Sequence, residues 1–428
     1  MPPRTFAPVV NILFVCPRVP FPPHDGGAIA MHDVATGLAR AGHRVTVLAI
    51  NTPKHHQADL TVLGAHIRLL TVDVDTRVTP WGALKGLFDR ELPYNVARFV
   101  SAAVRARLTE LLRAERFDVV QLEGTFVAPY LADIRQLAPA TPVVLRAHNL
   151  ECQIWERLAH GARNPLRRAY LAHLARGLRR FEARVARGFA AIAAITEPDR
   201  RQWAALAGPG VRTVSVPAGV DRARFRPVPI GRPVRHTVAV LGSLNWEPNL
   251  EGLRWLLAHV WPRVREVLPY LTLHVAGSHP PAWLTELRAP GVVVHGFVES
   301  AAAFLAEHPV LLVPLLSGGG MRIKIIEAMT TGRCVLTTPV GGEGIDAVPG
   351  RDWLVATTPA EWVAALVAVF GPAPTAAAPA ADPVAIGQAA ASFAAHHFDN
   401  TAVVRRFEAL YAELADRSGV PLPASSRG

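Results

Sequence analysis

The sequence contains little cysteine and no long uninterrupted hydrophobic run. Its three cysteines, Cys16, Cys152 and Cys334, are scattered over 428 residues, which excludes a disulfide framework and a zinc ribbon. No window approaches the ~20 consecutive apolar residues of a membrane-spanning helix. The N-terminus lacks the small-residue cleavage site of a secretory signal peptide. These features predict a cytoplasmic protein.

Lysine and aromatic residues are also scarce. Only Lys54, Lys85 and Lys324 are lysines, so arginine carries most of the net charge of +11, and aromatic residues make up 7% of the chain. We find no helix-turn-helix, RNP or zinc-finger pattern, and the pattern G-x-G-x-x-G of dinucleotide enzymes is missing after the first predicted strand. Nucleic acid is therefore not an expected partner, and a dehydrogenase is disfavoured. The positive charge favours anionic partners such as phosphorylated substrates or membrane headgroups.

Half of the residues are hydrophobic, and short β-branched runs alternate with amphipathic stretches along the whole chain. This alternation predicts an α/β protein with two Rossmann-like, doubly wound parallel-sheet domains that face each other across a cleft. The predicted strands are 9–15, 44–50, 66–72, 117–122, 142–147, 190–196 and 211–216 in the first half, and 236–241, 271–276, 292–296, 310–315, 334–338 and 352–356 in the second half.

A segment rich in proline and arginine, residues 217–236, is predicted as the interdomain linker because it has no periodicity. We therefore place an N-terminal domain at residues 1–225 and a C-terminal domain at residues 234–385. An Ala/Pro stretch, residues 371–383, precedes a last helical pattern. That helix, residues 399–418, is a candidate to complete the first domain.

Ligands of open α/β sheets bind beyond the carboxyl ends of the strands. Three such places in the first domain carry candidate residues. Gly26 and Gly27 precede a predicted helix, where they are either a phosphate or acceptor loop or a tight entry turn. Glu123 ends one strand, and His148, which follows another, could bind a sugar hydroxyl or a phosphate or have a structural role.

The richest loop follows the strand at 310–315. Gly318, Gly319 and Gly320 precede a helix predicted at 321–330, and such an open backbone at a helix N-terminus suits a diphosphate. Arg322 and Lys324 lie in its first turn, where cations oppose the helix dipole unless an anion is bound. Glu327 could accept hydrogen bonds from ribose hydroxyls, although Lys324 and Glu327 could also form a surface pair.

Residues 157–187 hold nine arginines and one acidic residue, Glu182. Tyr170, Leu174, Leu178, Phe181 and Val185 form an apolar stripe at helical spacing, so the remaining surface is basic. This surface is either a solvated face or a peripheral contact with an anionic membrane at its inner face.

Taken together, these motifs resemble the glycosyltransferases of the GT-B fold, in particular the retaining enzymes of glycosyltransferase family 4. The resemblance rests on Gly26-Gly27 with Gly42-His43, the strand DVVQLE from Asp118, the segment PAGVDRARFRP from Pro217, the strand end Gly296-Phe297-Val298, and Glu327-Ala328-Met329 with Gly332 before Cys334-Val335-Leu336. The last of these segments is the most specific.

The resemblance implies a retaining, hexosyltransferase-like enzyme without a metal or other cofactor. Its substrates would be a nucleotide-diphosphate sugar and an unknown acceptor, lipid-linked or anionic among the options. Arg322, Lys324 and His148 are the expected catalytic residues. The expected donor-binding residues are Gly242, Ser243, Asn245, Phe297, Gly318, Gly319, Gly320, Met321 and Glu327, and the expected acceptor or phosphate loop residues are Gly26, Gly27 and Glu123.

The sequence departs from the family pattern in two places. The Arg and Lys that usually follow the first strand of the second domain are missing, and Ser243 and Asn249 stand in that region. The family's Glu-x7-Glu motif keeps its second glutamate as Glu327, whereas Gly319 occupies the first position. Two alternatives therefore stay open beside the transferase that builds a polysaccharide, glycolipid or glycoconjugate. They are a GT-B sugar-nucleotide epimerase and a non-catalytic protein that binds sugar nucleotides.

Overall fold

The structure is a computed structural model that describes residues 9–23, 25–58, 67–79, 81–82, 86, 89, 91–162, 164–232, 234–371 and 381–418. The strands are β1 Asn11–Cys16, β2 Arg44–Asn51, β3 Ile67–Asp73, β4 Val119–Glu123, β5 Val143–Ala147, β6 Ala191–Ala194, β7 Arg212–Ser215, β8 Thr237–Leu241, β9 Thr272–Ala276, β10 Val292–Gly296, β11 Val310–Val313, β12 Cys334–Thr337 and β13 Leu354–Val355.

The α-helices are α1 Gly26–Arg40, α2 Tyr94–Ala97, α3 Ala102–Ala114, α4 Leu131–Leu137, α5 Glu151–Gly161, α6 Pro165–Ala186, α7 Glu197–Ala207, α8 Glu247–Trp255, α9 Trp261–Val267, α10 Ala282–Thr285, α11 Ala301–Glu307, α12 Ile323–Thr330, α13 Pro359–Phe370, α14 Pro383–His397 and α15 Asn400–Ser418. Short 3₁₀ turns occupy Pro53–His55 and Thr125–Tyr130, and a π-helical turn, Leu256–Val260, joins α8 to α9.

The strands form two parallel sheets, with the order β3-β2-β1-β4-β5-β6-β7 in the first and β10-β9-β8-β11-β12-β13 in the second. In both sheets the order reverses direction beside the first strand, which is the doubly wound arrangement. The predicted α/β class with two Rossmann-like domains is confirmed. The predicted strands lie within a few residues of the observed ones because each is a buried apolar run between polar loops.

The first sheet is buried on both faces. Leu13 and Val15 pack into a core under α3 and α6, whereas Ile12 and Phe14 pack on the opposite face with residues of α1 and α15. Successive side chains of a strand point to opposite faces, so a strand covered on both sides consists almost entirely of hydrophobic residues. The polar exceptions in these strands are therefore informative.

The chain divides into two compact units, the first built mainly from residues 27–218 and 401 onward, and the second from residues 219–400. The predicted boundary at 225 lies too late, and the predicted range 234–385 is too short at both ends. Val220 pairs with Asp399, Phe225 is buried and the N–H of Val228 donates to the carbonyl of Thr331. Much of the predicted linker is therefore packed against the second unit.

The C-terminal helix α15 packs on the first unit. Phe407 and Tyr411 are fully buried in the core beside α1, and Glu408 Oε1 lies 2.9 Å from His43 Nε2. Arg212 of β7 forms an ion pair with Glu413 at 3.0 Å. Most of the Ala/Pro stretch at 371–383 lies outside the described residues.

Candidate active site

The glycine-rich loop between β11 and α12 forms the centre of the candidate site in the second unit. Gly318 and Gly320 adopt φ values of 109° and 78°, a region that favours glycine. Helix α12 begins at Ile323, two residues later than predicted, with Arg322 as its N-cap. The N–H groups of its first turn therefore point toward the loop.

Lys324 lies in the first turn of α12 and is held by a polar chain. Its Nζ donates to Asn249 Oδ1 at 2.8 Å, and Asn249 Nδ2 donates to the carbonyl of Ser243 at 2.8 Å. Burial, and to a lesser extent the nearby Arg322, lower the pKa of Lys324 to about 7, whereas Glu327 opposes the shift. A desolvated lysine of this kind takes up a proton when an anion binds beside it.

Arg322 stabilises the loop itself. Its guanidinium donates to the carbonyl of Gly320 at 2.8 Å and also to that of Gly319. It lies 5.5 Å from the centroid of the Trp246 ring, a cation–π distance. Arg322 is buried. A cation at a helix N-terminus is unfavourable, and the sequence analysis explained Arg322 there by a bound anion alone. In the structure, carbonyl oxygens and an aromatic face stabilise the guanidinium as well.

The other expected donor residues of the second unit differ in how exposed they are. Glu327 is buried and lies in α12, and Lys324 is not exposed, so the alternative of a Lys324–Glu327 surface pair is wrong. Met321 is half-buried against the second core, whereas Phe297, after β10, is 54% exposed.

The loop after β8 approaches the candidate site through its backbone. Lys324 Nζ lies 3.2 Å from the place that a Cβ of Gly242 would occupy, and a Cβ on Gly277 would meet the carbonyl oxygen of Gly242 at 1.7 Å. Gly277, which directly follows β9, therefore tolerates no side chain. Asn245, an expected donor residue, is exposed on this loop.

In the first unit, Glu123 and His148 form one polar pair at the carboxyl ends of β4 and β5. His148 Nε2 lies 2.7 Å from Glu123 Oε2, and the glutamate is fully buried while the histidine side chain is 17% exposed. When the carboxylate accepts a hydrogen bond from Nε2–H, Nδ1 of the neutral ring is left as an acceptor. Such a ring can hydrogen-bond or exchange a proton with a ligand.

Two family models match the chain in consecutive segments. The Glycosyl transferase 4-like domain matches residues 25–219, and Glycosyl transferases group 1 matches residues 235–371. Together they span most of the sequence, and the second segment contains the glycine loop, Arg322, Lys324 and Glu327. The chain belongs to the glycosyltransferases.

One curated relative of this glycosyltransferase is an uncharacterized 44.6 kDa protein in the cps region of Klebsiella pneumoniae. It is 21% identical over 358 residues, which cover 81% of this chain and 88% of the relative. Similar solved structures include Anabaena Alr3699/HepE in complex with UDP, with 14% identity and a TM-score of 0.65 over 94% of this chain and 100% of that one. Sucrose-phosphate synthase from Thermosynechococcus elongatus has 16% identity and a TM-score of 0.65 over 95% and 100% of the two chains. These similarities assign the GT-B fold to the glycosyltransferase.

Two residues of the candidate regions were not among the predicted site residues. Asn249, rather than Asn245, contacts Lys324. Glu151 opens α5 three residues after His148, and burial raises its pKa to about 7, with Glu182 adding to the shift. An acidic residue three positions after a strand-end histidine is a local signal that could have indicated Glu151, whereas nothing local distinguishes the two asparagines.

Gly26 and Gly27 are the first residues of α1 rather than a turn before it, and the predicted helix start at residue 28 was two residues late. Their backbone belongs to the exposed first turn of a helix, where N–H groups lack intrahelical acceptors. The entry-turn interpretation is therefore wrong, and the phosphate or acceptor role of Gly26 and Gly27 stays a prediction.

The basic stretch at 157–187 consists of parts of two helices, α5 and α6, and the predicted apolar stripe is buried at Leu174, Leu178 and Phe181. Its one acidic residue, Glu182, is buried and accepts the backbone N–H of Glu151 at 2.8 Å. Arg176, Arg179 and Arg180 are exposed, and we call them the basic face of α6.

Among the residues that the structure describes, no group of three or more His, Cys, Asp or Glu side chains could hold a metal ion. No helix in the same residues is both long and apolar enough to cross a membrane.

Proposed function

We propose that the glycosyltransferase moves a hexose from a nucleotide-diphosphate sugar to an acceptor hydroxyl with retention of configuration, without a metal ion. HepE, whose structures contain UDP or UDP-glucose, supports a nucleotide-sugar donor. The relative from the cps region is in line with synthesis of a polysaccharide, glycolipid or glycoconjugate. The acceptor would bind to the first unit, where Gly27, Glu123 and His148 lie, with Gly26 directly before Gly27 in the chain.

The observation that carries the proposal is the Lys324–Asn249 contact beside the glycine loop. When the bond to the sugar breaks, negative charge grows on the departing diphosphate. A cation held in place before the reaction stabilises that charge without the cost of reorganisation. Lys324 is the proposed donor to the diphosphate, Arg322 shapes the loop and adds positive potential, and Glu327 is the proposed acceptor for ribose hydroxyls.

A thermal-shift panel of UDP, GDP and ADP and of their glucose conjugates identifies the donor, because a ligand that binds only the native state stabilises it. With that donor, Lys324→Met is expected to lower kcat by roughly 10²–10³, the cost of losing one preorganised donor. Glu327→Gln is expected to raise KM, since a ribose contact is made equally in ground and transition states. Lys54→Met, at an exposed lysine, is the matched control.

Wild-type activity in Lys324→Met would disprove the assigned role of the lysine. The anomeric coupling constant of the product, measured by NMR, tests retention, and an inverted product would contradict it. Gly319, in the place of the first family glutamate, favours the second candidate, a binding protein. That protein would be stabilised by a donor and release no nucleotide, whereas an epimerase would convert the donor without an acceptor.

A further inference from the structure

A chain of hydrogen bonds runs through the first unit from the C-terminal helix to His148. The hydroxyl of Tyr411 in α15 donates to Gln121 Oε1 at 2.5 Å. Gln121 Nε2 donates to Glu123 Oε1 at 2.6 Å, and Glu123 Oε2 lies 2.7 Å from His148 Nε2. A residue 290 positions away from β4 thus contacts the strand that carries the partner of the histidine.

The direction of every bond in this chain is determined by chemistry. A carboxylate only accepts, so the amide group of Gln121 must face Glu123 and its carbonyl oxygen must face Tyr411. Tyr411, Gln121 and Glu123 are each fully buried. Water cannot replace a lost partner there without rearrangement, and an unmatched polar group would be costly. His148 is the one member of the chain that is partly exposed.

Two titratable groups of the neighbouring strands, Arg146 and Cys16, lie close to Glu123. Arg146 of β5 is paired with Glu123 in strand register, is fully buried and donates to the carbonyl of Pro217 at 3.3 Å. Its guanidinium lies 4.9 Å from the centroid of the Phe407 ring. Burial raises the pKa of Cys16 on β1, and Glu123 adds to the shift, so the thiol stays protonated and adds no competing charge.

The hydroxyl of Tyr411 is not needed to hold α15 in place. The same face of the helix buries Val403, Val404, Phe407, Leu410 and Leu414. Two further contacts, from Glu408 to His43 and from Glu413 to Arg212, anchor the helix at its sides. A phenylalanine at position 411 would preserve this packing and remove a single donor.

We propose that Tyr411 is a positioning residue, which acts through Gln121 and Glu123 to set the tautomer and the proton affinity of His148. Without the tyrosine donor, Gln121 Oε1 loses its partner, the amide is less polarised, and its N–H bond to Glu123 Oε1 weakens. The carboxylate then becomes a stronger acceptor for His148 Nε2–H, which stabilises the imidazolium. Any part of His148 in sugar transfer rests on the proposed function, whereas the coupling itself does not.

The test compares Tyr411→Phe with Tyr130→Phe. Tyr130 is a fully buried tyrosine of the same unit whose hydroxyl donates to the carbonyl of Phe99 and accepts from the N–H of Ser101, outside the chain. Long-range ¹H–¹⁵N spectra of histidine-labelled full-length protein, assigned with His148→Gln, report the titration and tautomer of His148. At a fixed pH near neutrality we expect Tyr411→Phe to move the ring ¹⁵N shifts of His148 toward those of the imidazolium, and Tyr130→Phe to leave them unchanged.

Gln121→Leu supplies a second, independent perturbation of the same chain. It is expected to move the His148 titration in the same direction, and the double variant with Tyr411→Phe is expected to add nothing, because both changes break one pathway. An unchanged titration in Tyr411→Phe, or additive shifts in the double variant, would overturn the proposal. With the cognate donor, Tyr411→Phe should lower kcat and leave the KM for the donor unchanged.

These outcomes separate the two proposals. A shifted His148 titration in a protein that transfers no sugar would support the coupling and refute the proposed function. An unchanged titration of His148 in an active transferase would support the proposed function and refute the coupling.

Discussion

The lowered pKa of Lys324 makes nucleotide binding depend on pH in a way that can be calculated. In the free protein this pKa is about 7. A bound diphosphate beside the Nζ is expected to return it toward the ordinary lysine value of about 10.4. Binding then requires the protonated lysine, and the affinity falls up to tenfold for each pH unit above 7.

Between pH 7 and pH 9 the protonated fraction of Lys324 falls from about one half to about one hundredth, so the Kd of UDP is expected to rise about 50-fold, or about 2.3 kcal/mol. Isothermal titration of UDP in buffers of different ionisation enthalpy measures both the Kd and the proton uptake, which should approach one proton near pH 8 to 9. The second phosphate ionisation lies near pH 6, so UDP itself contributes little in this range.

Lys324→Met should bind UDP weakly and without this slope, and Lys54→Met should retain it. A Kd of wild-type protein that stays constant from pH 7 to pH 9, or the same slope in Lys324→Met, would refute the reasoning. The stability of the ligand-free protein depends on pH with the opposite sign to the affinity for UDP. Because the folded-state pKa of Lys324 is below the unfolded one, the unfolded chain binds more protons, and the free energy of unfolding should rise as pH increases from about 7 toward 10.

Three further predictions concern the rest of the chain. Gly252→Ala would place a Cβ 2.1 Å from the carbonyl oxygen of Pro314 and should lower the free energy of unfolding by about 3 kcal/mol, whereas Gly210→Ala, with no atom within 4 Å, should leave the melting temperature nearly unchanged; equal melting temperatures would contradict this. Burial, with neighbouring histidines, lowers the pKa of His308 to about 4, so its protonation should destabilise the fold as pH falls from about 6.5 to 4. In chemical denaturation over this range, His308→Gln should lose less free energy of unfolding than wild type, while the exposed His259→Gln should match wild type. Parallel profiles for all three proteins would disprove this. Replacing the basic face of α6 by glutamine should reduce sedimentation with anionic phosphatidylserine vesicles at low salt, and a wild-type protein that ignores such vesicles would eliminate the membrane contact.

Much of the fold could be predicted from sequence because its determinants are local. A strand buried on both faces of a parallel sheet is apolar along almost its whole length, so strands such as Asn11–Cys16 and Val310–Val313 can be predicted from the sequence. The glycine loop could also be predicted locally, because Gly318 and Gly320 have positive φ values that other residues avoid. Arg322, Lys324 and Glu327 became candidates because they follow that loop.

The partners of those residues were decided by tertiary structure alone. Single apolar residues such as Val220 and Phe225 have no periodicity, yet they are buried and turn a predicted linker into part of the second unit. Which asparagine would meet Lys324 depends on how α8 packs beside α12, and the Tyr411–Gln121 bond joins residues 290 positions apart. Hydrophobic patterns specify which face of an element is buried, but a hydrogen bond requires two particular atoms to arrive within about 3 Å, and only the assembled fold determines that distance.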